Sequence, residues 1–322
     1  MIELIITQKG IRMKIKYAII LSLLIIPIYL FSFPNLKQKI INHYTRKISK
    51  YRDQDNFEKA LSINNKLILI SPDNTDLYYW RALTYQDLEN YDLAAKDFTR
   101  TIELNETAGL YTHREEGILY RNRGECWLEL EKYDLAMNDA EISLERNPYY
   151  YSNYNLQRRV FWSMEEYDKA IEVSKIICHK FPNNLGGFYY RARSYHDLEQ
   201  YDLAIKDYNY IINQNQDNNW KLWSYYAKAV SNYELGRYDE ALGNFLIIDE
   251  KYQETTWHYG SLALLYYKMG DLEKANNCIS QIYDDEPEYR DDIDSVEGFL
   301  DGTEESKTIF RELKEIFELN EK

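Results

Sequence analysis

Two hydrophobic patterns divide the chain. From Tyr17 to Phe33 it runs YAIILSLLIIPIYLFSF with no charged residue. At 1.5 Å per residue such a run makes a helix of about 25 Å, near the lower limit for crossing a bilayer. Beyond it, apolar residues recur at spacings of three and four, the mark of helices with one buried face. A four-residue signature also returns: an aromatic, usually an acid, any residue, then alanine. It runs from Phe57 to Ala60, Tyr91 to Ala94, Tyr133 to Ala136, Tyr167 to Ala170, Tyr201 to Ala204 and Tyr238 to Ala241, with Leu272 to Ala275 as a variant. The alanines are 34, 42, 34, 34, 37 and 34 residues apart. A fixed period of this size predicts a stacked array in which each unit buries its apolar face on its neighbours.

Each unit reads as two helices. Twelve residues before the alanine stands a small residue in most units: Ala82, Gly124, Ala192, Ala229 and Ala263. Aromatics stand sixteen before it (Tyr78, Tyr120, Tyr154, Phe188) and nine before it (Tyr85, Trp127, Phe161, Tyr195). These offsets share one face of a first helix, and the small residues let the second helix approach. Pro72, Pro148, Pro182 and Pro287 fall twelve after the alanine, where a helix should end. The units are 41–74, 75–108, 117–150, 151–184, 185–218, 222–255, 256–289 and a degenerate 290–322. Eight extra residues separate the second and third units, and three the fifth and sixth. Thr112 and Glu115 have the spacing of a capping box. The first helix of the third unit is therefore expected to start about five residues early, about 7 Å longer, after a connection ended by Gly109.

The pattern resembles the tetratricopeptide repeat, over roughly residues 41–322. Phe98, Tyr208 and Phe245 match that family's second-helix aromatic, while Arg158 and Ile48 depart from its small position. The resemblance implies an all-α fold, a right-handed α-solenoid of helix-turn-helix repeats, preceded here by one hydrophobic helix. It also implies that the first helices line a groove through positions fifteen and eleven before each alanine. Those are Tyr79 and Leu83, Arg121 and Glu125, Asn155 and Arg159, Tyr189 and Arg193, and Tyr226 and Val230. Of these, Tyr79, Arg121, Asn155, Arg159, Tyr189, Arg193 and Tyr226 form the candidate partner groove. Planar guanidinium donors among aromatics suit a protein or peptide segment with an acidic or carboxyl-terminal carboxylate anchor. The competing reading pairs the arginines with the protein's own acids, such as Arg121 with Glu125 one turn away. The family's subset that clamps chaperone tails through Lys and Asn is not matched, since Thr45, Ser49, Tyr79 and Leu83 occupy such positions.

Composition narrows the classes. Gly and Pro together number only 18 of 322 residues, too few for turn-rich sheet folds or glycine-rich nucleotide loops. Net charge is −14, but residues 1–52 carry +9, leaving −23 on the rest. Such a body repels phosphate backbones, so nucleic acid is excluded as a general partner. Cys126, Cys178 and Cys278 lie on predicted helices and read as small buried residues. The five histidines are scattered without metal-ligand spacing. Eleven acids between Asp284 and Glu305 lack the order of a calcium loop and read as a solvated end. No catalytic, cofactor-binding or metal-binding set is legible.

Residues 1–16 form a basic segment, with Met13 as an alternative initiator before Lys14 and Lys16. Residues 17–33 read as an uncleaved single membrane anchor. A cleaved signal peptide would need small residues at its exit, where only Ser32 is found. Basic residues flank the run on both sides, so the positive-inside rule barely orients it. The basic start at Met13 favours an extracytoplasmic body, against a weaker pull from the unpaired cysteines toward the opposite side. The reading that results is a membrane-anchored interaction scaffold or assembly factor. The alternatives are an exported soluble adaptor and, from another class, an enzyme with an unrecognised site.

Overall fold

A computed structural model describes residues 34–214, 219–252 and 258–285. The apolar run 17–33 and the expected last repeat, 290–322, lie outside them. No helix among the described residues is long and apolar enough to cross a membrane. Those residues hold fourteen helices and no strand. They are α1 (Pro34–Arg52), α2 (Phe57–Ile70), α3 (Thr75–Asp87), α4 (Tyr91–Ala108), α5 (His113–Glu129), α6 (Tyr133–Arg146) and α7 (Tyr151–Ser163). Then follow α8 (Tyr167–Lys180), α9 (Leu185–Asp197), α10 (Tyr201–Ile212), α11 (Asn219–Glu234), α12 (Tyr238–Lys251), α13 (Tyr259–Lys268) and α14 (Leu272–Asp285). The described residues form two compact units, unit 1 up to Leu156 and unit 2 from Gln157, with the division inside α7. Within each unit, helices pack on their sequence neighbours, and first helices also meet, as α1 with α3 and α9 with α11.

The alanines of the register form the packing seams. Ala60, Ala94, Ala136, Ala170, Ala204, Ala241 and Ala275 are all fully buried, as are Ala82, Ala192, Ala229 and Ala263. Gly124 shows why these positions stay small. A Cβ there would stand 2.7 Å from Leu156 Cδ2 and 3.0 Å from Asp139 Cβ. Phe98, Tyr208 and Phe245 fill the space between helix pairs and are buried.

Among the described residues, every turn within a repeat is closed in the same way. The residue five before the alanine is left-handed: Asp55, Glu89, Glu131, Glu165, Glu199, Gly236 and Gly270, with φ from 54° to 81°. At the second turn Asn90 N–H donates to Tyr85 O at 2.8 Å and Glu89 N–H to Gln86 O at 2.9 Å. These two bonds satisfy carbonyls that the helix end leaves open. Glycine takes this conformation freely, whereas a residue with a Cβ loses about 1 kcal/mol or more.

The eight-residue insertion is divided between two helices. α4 has 18 residues, against 14 in α2, α6, α8 and α12. α5 has 17, against 13 in α3, α7 and α9. Each therefore gains one turn. The expected capping box is present: Thr112 N–H donates to Glu115 Oε2 at 2.8 Å, and Glu115 N–H to Thr112 Oγ1 at 3.4 Å. Two details correct the expectation. α5 begins four residues early, and Gly109 (φ 61°) caps a lengthened α4 instead of ending a separate connection. Asn105, in that added turn, accepts from Leu110 N–H at 3.0 Å and Tyr111 N–H at 2.8 Å. Its amide donates to Glu116 Oε1 at 3.0 Å, so the lengthened hairpin is bonded through its tip.

Candidate functional site

Two destinations of the arginines stand out among the described residues. The first is structural. Arg81, Arg123 and Arg191 stand thirteen before their alanines, and Asp97, Asp139 and Asp207 three after. Each pair joins the two helices of a repeat by two parallel bonds: Arg81 to Asp97 at 2.6 and 2.8 Å, Arg123 to Asp139 at 2.8 and 2.7 Å, Arg191 to Asp207 at 2.7 and 2.7 Å. The Asp139 side chain is only 1% exposed. Burial pushes its pKa up, and the Arg123 guanidinium opposes that shift. A paired, fully bonded ion at such a site is tolerated, whereas an orphaned one is costly. Sequence reading missed these locks, although Arg and Asp sixteen residues apart recur in three units.

The second destination lies in unit 2. Arg158, Arg159, Trp162, Ser163, Tyr190 and Arg193 line a concavity of about 210 Å³ between α7 and α9. Arg158 occupies the position held by Gly124 and Ala192 in the neighbouring repeats. It is 4% exposed, and its guanidinium carbon lies 4.0 Å from the Tyr190 ring centre. Arg193 is exposed and sits 5.3 Å from the Trp162 ring centre. The Trp162 indole N–H donates to Asp197 Oδ2 at 2.7 Å, which fixes that ring. Arg158 and Arg159 also engage other groups of the protein.

The expected groove residues are thus distributed unevenly. Arg159 and Arg193 share the unit 2 concavity. Arg121, in unit 1, pairs with Glu125 at 3.5 Å and lies 5.1 Å from the Tyr150 ring centre. Asn155 is half-buried and engaged within the protein. Tyr189 packs against Tyr190, Tyr208 and Trp220, with ring centres 5.5, 5.9 and 5.3 Å away. Tyr226 shares a hydrogen bond with Ser261 Oγ at 3.0 Å. Val230 is buried and belongs to the core of unit 2. Arg158, which sequence reading treated as a break in the small-residue pattern, joins the site.

A different concavity, of about 300 Å³, lies in unit 1 between α3 and α5. Tyr79 lines it together with Asp76, Trp80, Tyr111, Glu115, Ile118 and Leu119. Tyr111 comes from the connection created by the insertion, and its hydroxyl donates to Asp76 Oδ1 at 2.6 Å. Burial and the neighbouring carboxylate keep that hydroxyl protonated. Thr112 holds Glu115 below the usual glutamate range through its backbone and side-chain bonds.

Nucleophilic chemistry finds no support in the described cysteines. Cys126, Cys178 and Cys278 are free and buried. Burial pushes their thiols up to about 12, 11 and 12, against the thiolate a nucleophile requires. No group of three or more His, Cys, Asp and Glu among the described residues could hold a metal ion.

Comparison with known proteins agrees with the repeat reading. Residues 79–150 match the tetratricopeptide repeat family. The fold is similar to that of a tetratricopeptide repeat protein from Parabacteroides merdae (TM-score 0.61, 14% identity, covering 85% of this chain and 98% of that one). It is also similar to the C-terminal part of a TPR repeat-containing protein from Cytophaga hutchinsonii (TM-score 0.57, 17% identity, 75% and 95% covered). A third likeness is to PilF of Pseudomonas aeruginosa (TM-score 0.53, 16% identity, 73% and 98% covered). No curated protein sequence matches. At these identities the likeness establishes a scaffold of stacked helical repeats, an architecture suited to protein–protein interaction.

Proposed function

We propose that this protein is a membrane-anchored interaction scaffold or assembly factor. Its second unit would receive a partner segment through an acidic side chain or a carboxyl-terminal carboxylate. The observation that carries this reading is the unit 2 concavity. Three of its six lining residues are arginines and none is acidic, in a chain of net charge −14. Guanidinium groups offer carboxylates two parallel bonds, and Trp162 and Tyr190 hold two of them in place with little freedom to lose. Because Arg158 and Arg159 already engage other groups, an arriving carboxylate would add to an existing network. The surrounding acidity would turn away chains with many carboxylates, so selectivity would come from repulsion as well as attraction.

Anchoring is the second part of the proposal and rests on the uncharged run 17–33. If it holds, the full chain stays with membranes through high-salt washing and its amino terminus is intact by mass spectrometry. Release by salt, or a terminus beginning after residue 33, would replace the anchor with a peripheral or exported protein. For the groove, partner capture is compared between the wild type and a folded Arg159→Glu, Arg193→Glu variant. Full retention of the partner would exclude this concavity.

A further inference from the structure

We propose that the unit 1 concavity is a seat for a basic side chain, lysine or arginine, of a partner polypeptide. The seat is amphipathic in the way such side chains are. Ile118 and Leu119 offer an apolar floor to a methylene stem, and Tyr79, Trp80 and Tyr111 offer ring surface. Asp76 and Glu115 supply the charge. A cation over aromatic faces and beside carboxylates is favoured by both the ring quadrupoles and the full charges.

Nearby charges partly oppose that sign. Asp76 and Glu115 lie in the first turns of α3 and α5, whose amino ends carry positive dipole charge. Each helix end amounts to about half a unit charge, so two carboxylates against two helix ends leave about one negative charge over. Two cations stand nearby. Arg52 lies 5.8 Å from the Trp80 ring centre but bonds Asp87 at 2.6 Å. Arg121 acts on the Tyr79 hydroxyl but pairs with Glu125. Each brings its own counter-charge, and the seat keeps its sign.

The geometry is fixed before any ligand arrives. Tyr111 is held by its bond to Asp76 and by the Asn105 side-chain oxygen Oδ1 that receives its N–H. Tyr79 and Trp80 meet edge to face, with ring centres 6.0 Å apart at 71°. Glu115 is tied into the capping box through Oε2. Both acids have near-isosteric neutral replacements: Asn at 76 keeps an oxygen for the Tyr111 hydroxyl, and Gln at 115 can still close the capping box.

The proposal builds on the interaction-scaffold reading, but its test involves no natural partner and no arginine of unit 2. The full chain in neutral detergent, with tryptophan indoles labelled, is titrated by NMR with acetyl-Ala-Ala-Lys-Ala-Ala-amide, its Arg counterpart and its Gln counterpart. The Trp80 signal is identified by its loss in Trp80→Phe. A saturable shift at Trp80 with the Lys or Arg peptide and none with the Gln peptide is expected, the tighter peptide identifying the side chain preferred. Asp76→Asn with Glu115→Gln should weaken that response about tenfold, with the helical circular dichroism of the folded protein retained. An equal response to the Gln peptide, no response at Trp80, or undiminished binding by the neutralised variant would each overturn the proposal. None of those results would bear on the arginine concavity, whose reporter is Trp162.

Discussion

The two concavities are built on the same scaffold and carry opposite charge. In unit 1 the opening lies at the amino ends of α3 and α5, where Asp76 and Glu115 stand in first turns. In unit 2 it lies along the carboxyl-terminal halves of α7 and α9, where Arg158, Arg159 and Arg193 stand. The helix dipole favours the acids at the amino ends of unit 1, whereas the arginines of unit 2 stand short of the last turns of α7 and α9, so their charge is set by residue type alone. The openings also arise from different breaks in the repeat. Unit 1 breaks the length, through eight inserted residues. Unit 2 breaks the residue type, placing Arg158 where neighbours carry alanine or glycine. Local rules fail at both proposed sites, as expected where a position serves something other than the repeat's own packing.

The largest effect is expected from the loss of one Arg–Asp lock. Asp139→Ala leaves the Arg123 guanidinium in a mostly buried site without its carboxylate, at an expected cost of about 3 kcal/mol. Thermal melting would show the loss, and the lysine-peptide response at Trp80 should weaken while the response of Trp162 to a peptide bearing a carboxylate persists. Loss of both responses would mean that the units do not act separately. Ala192→Trp is the counterpart in unit 2. The position is fully buried, so overpacking should cost about 2 kcal/mol and distort the arginine concavity first. Unchanged melting would contradict the packing seam.

Smaller effects sharpen the contrast. Glu199→Gly should raise stability by about 0.5 kcal/mol, because relief at φ 57° slightly exceeds glycine's greater chain entropy. Gly236→Glu, at φ 70°, should do the reverse by about 1 kcal/mol. Paired melts would reveal whether acidic turns are indeed the strained ones. The smallest effect is set by pH. The Glu115 pKa is depressed in the fold, so its support of the α5 amino end is complete above the ordinary glutamate range and fades as pH falls through the depressed value. Lysine-peptide binding at Trp80 should decline over that interval, whereas the guanidinium groups of unit 2 keep their charge.

Much of the fold could be read from contiguous patterns. The aromatic–acid–x–alanine signature, the small residues and the Thr112 to Glu115 box are each local, and local chemistry decides them. The Arg–Asp locks demanded a comparison across sixteen residues at fixed register, and inspection of the groove positions alone passed them by. Tyr111 and Asp76 are 35 residues apart and meet only because one repeat stacks on the next. The role of Arg158 was hidden for another reason. A charged residue in a small-residue position reads as a defect until the ring of Tyr190 is seen beneath it.

The insertion has one more consequence. Four residues are close to one helical turn, so adding four to α4 and four to α5 nearly preserves the faces both helices present. An in-frame removal of eight residues around the hairpin tip would shorten both helices and carry off Tyr111 or Glu115, while the alanine seams keep their phase. Ligand choice in unit 1 would then be inherited as a length polymorphism, gained or lost in a single event without rewriting any packing residue.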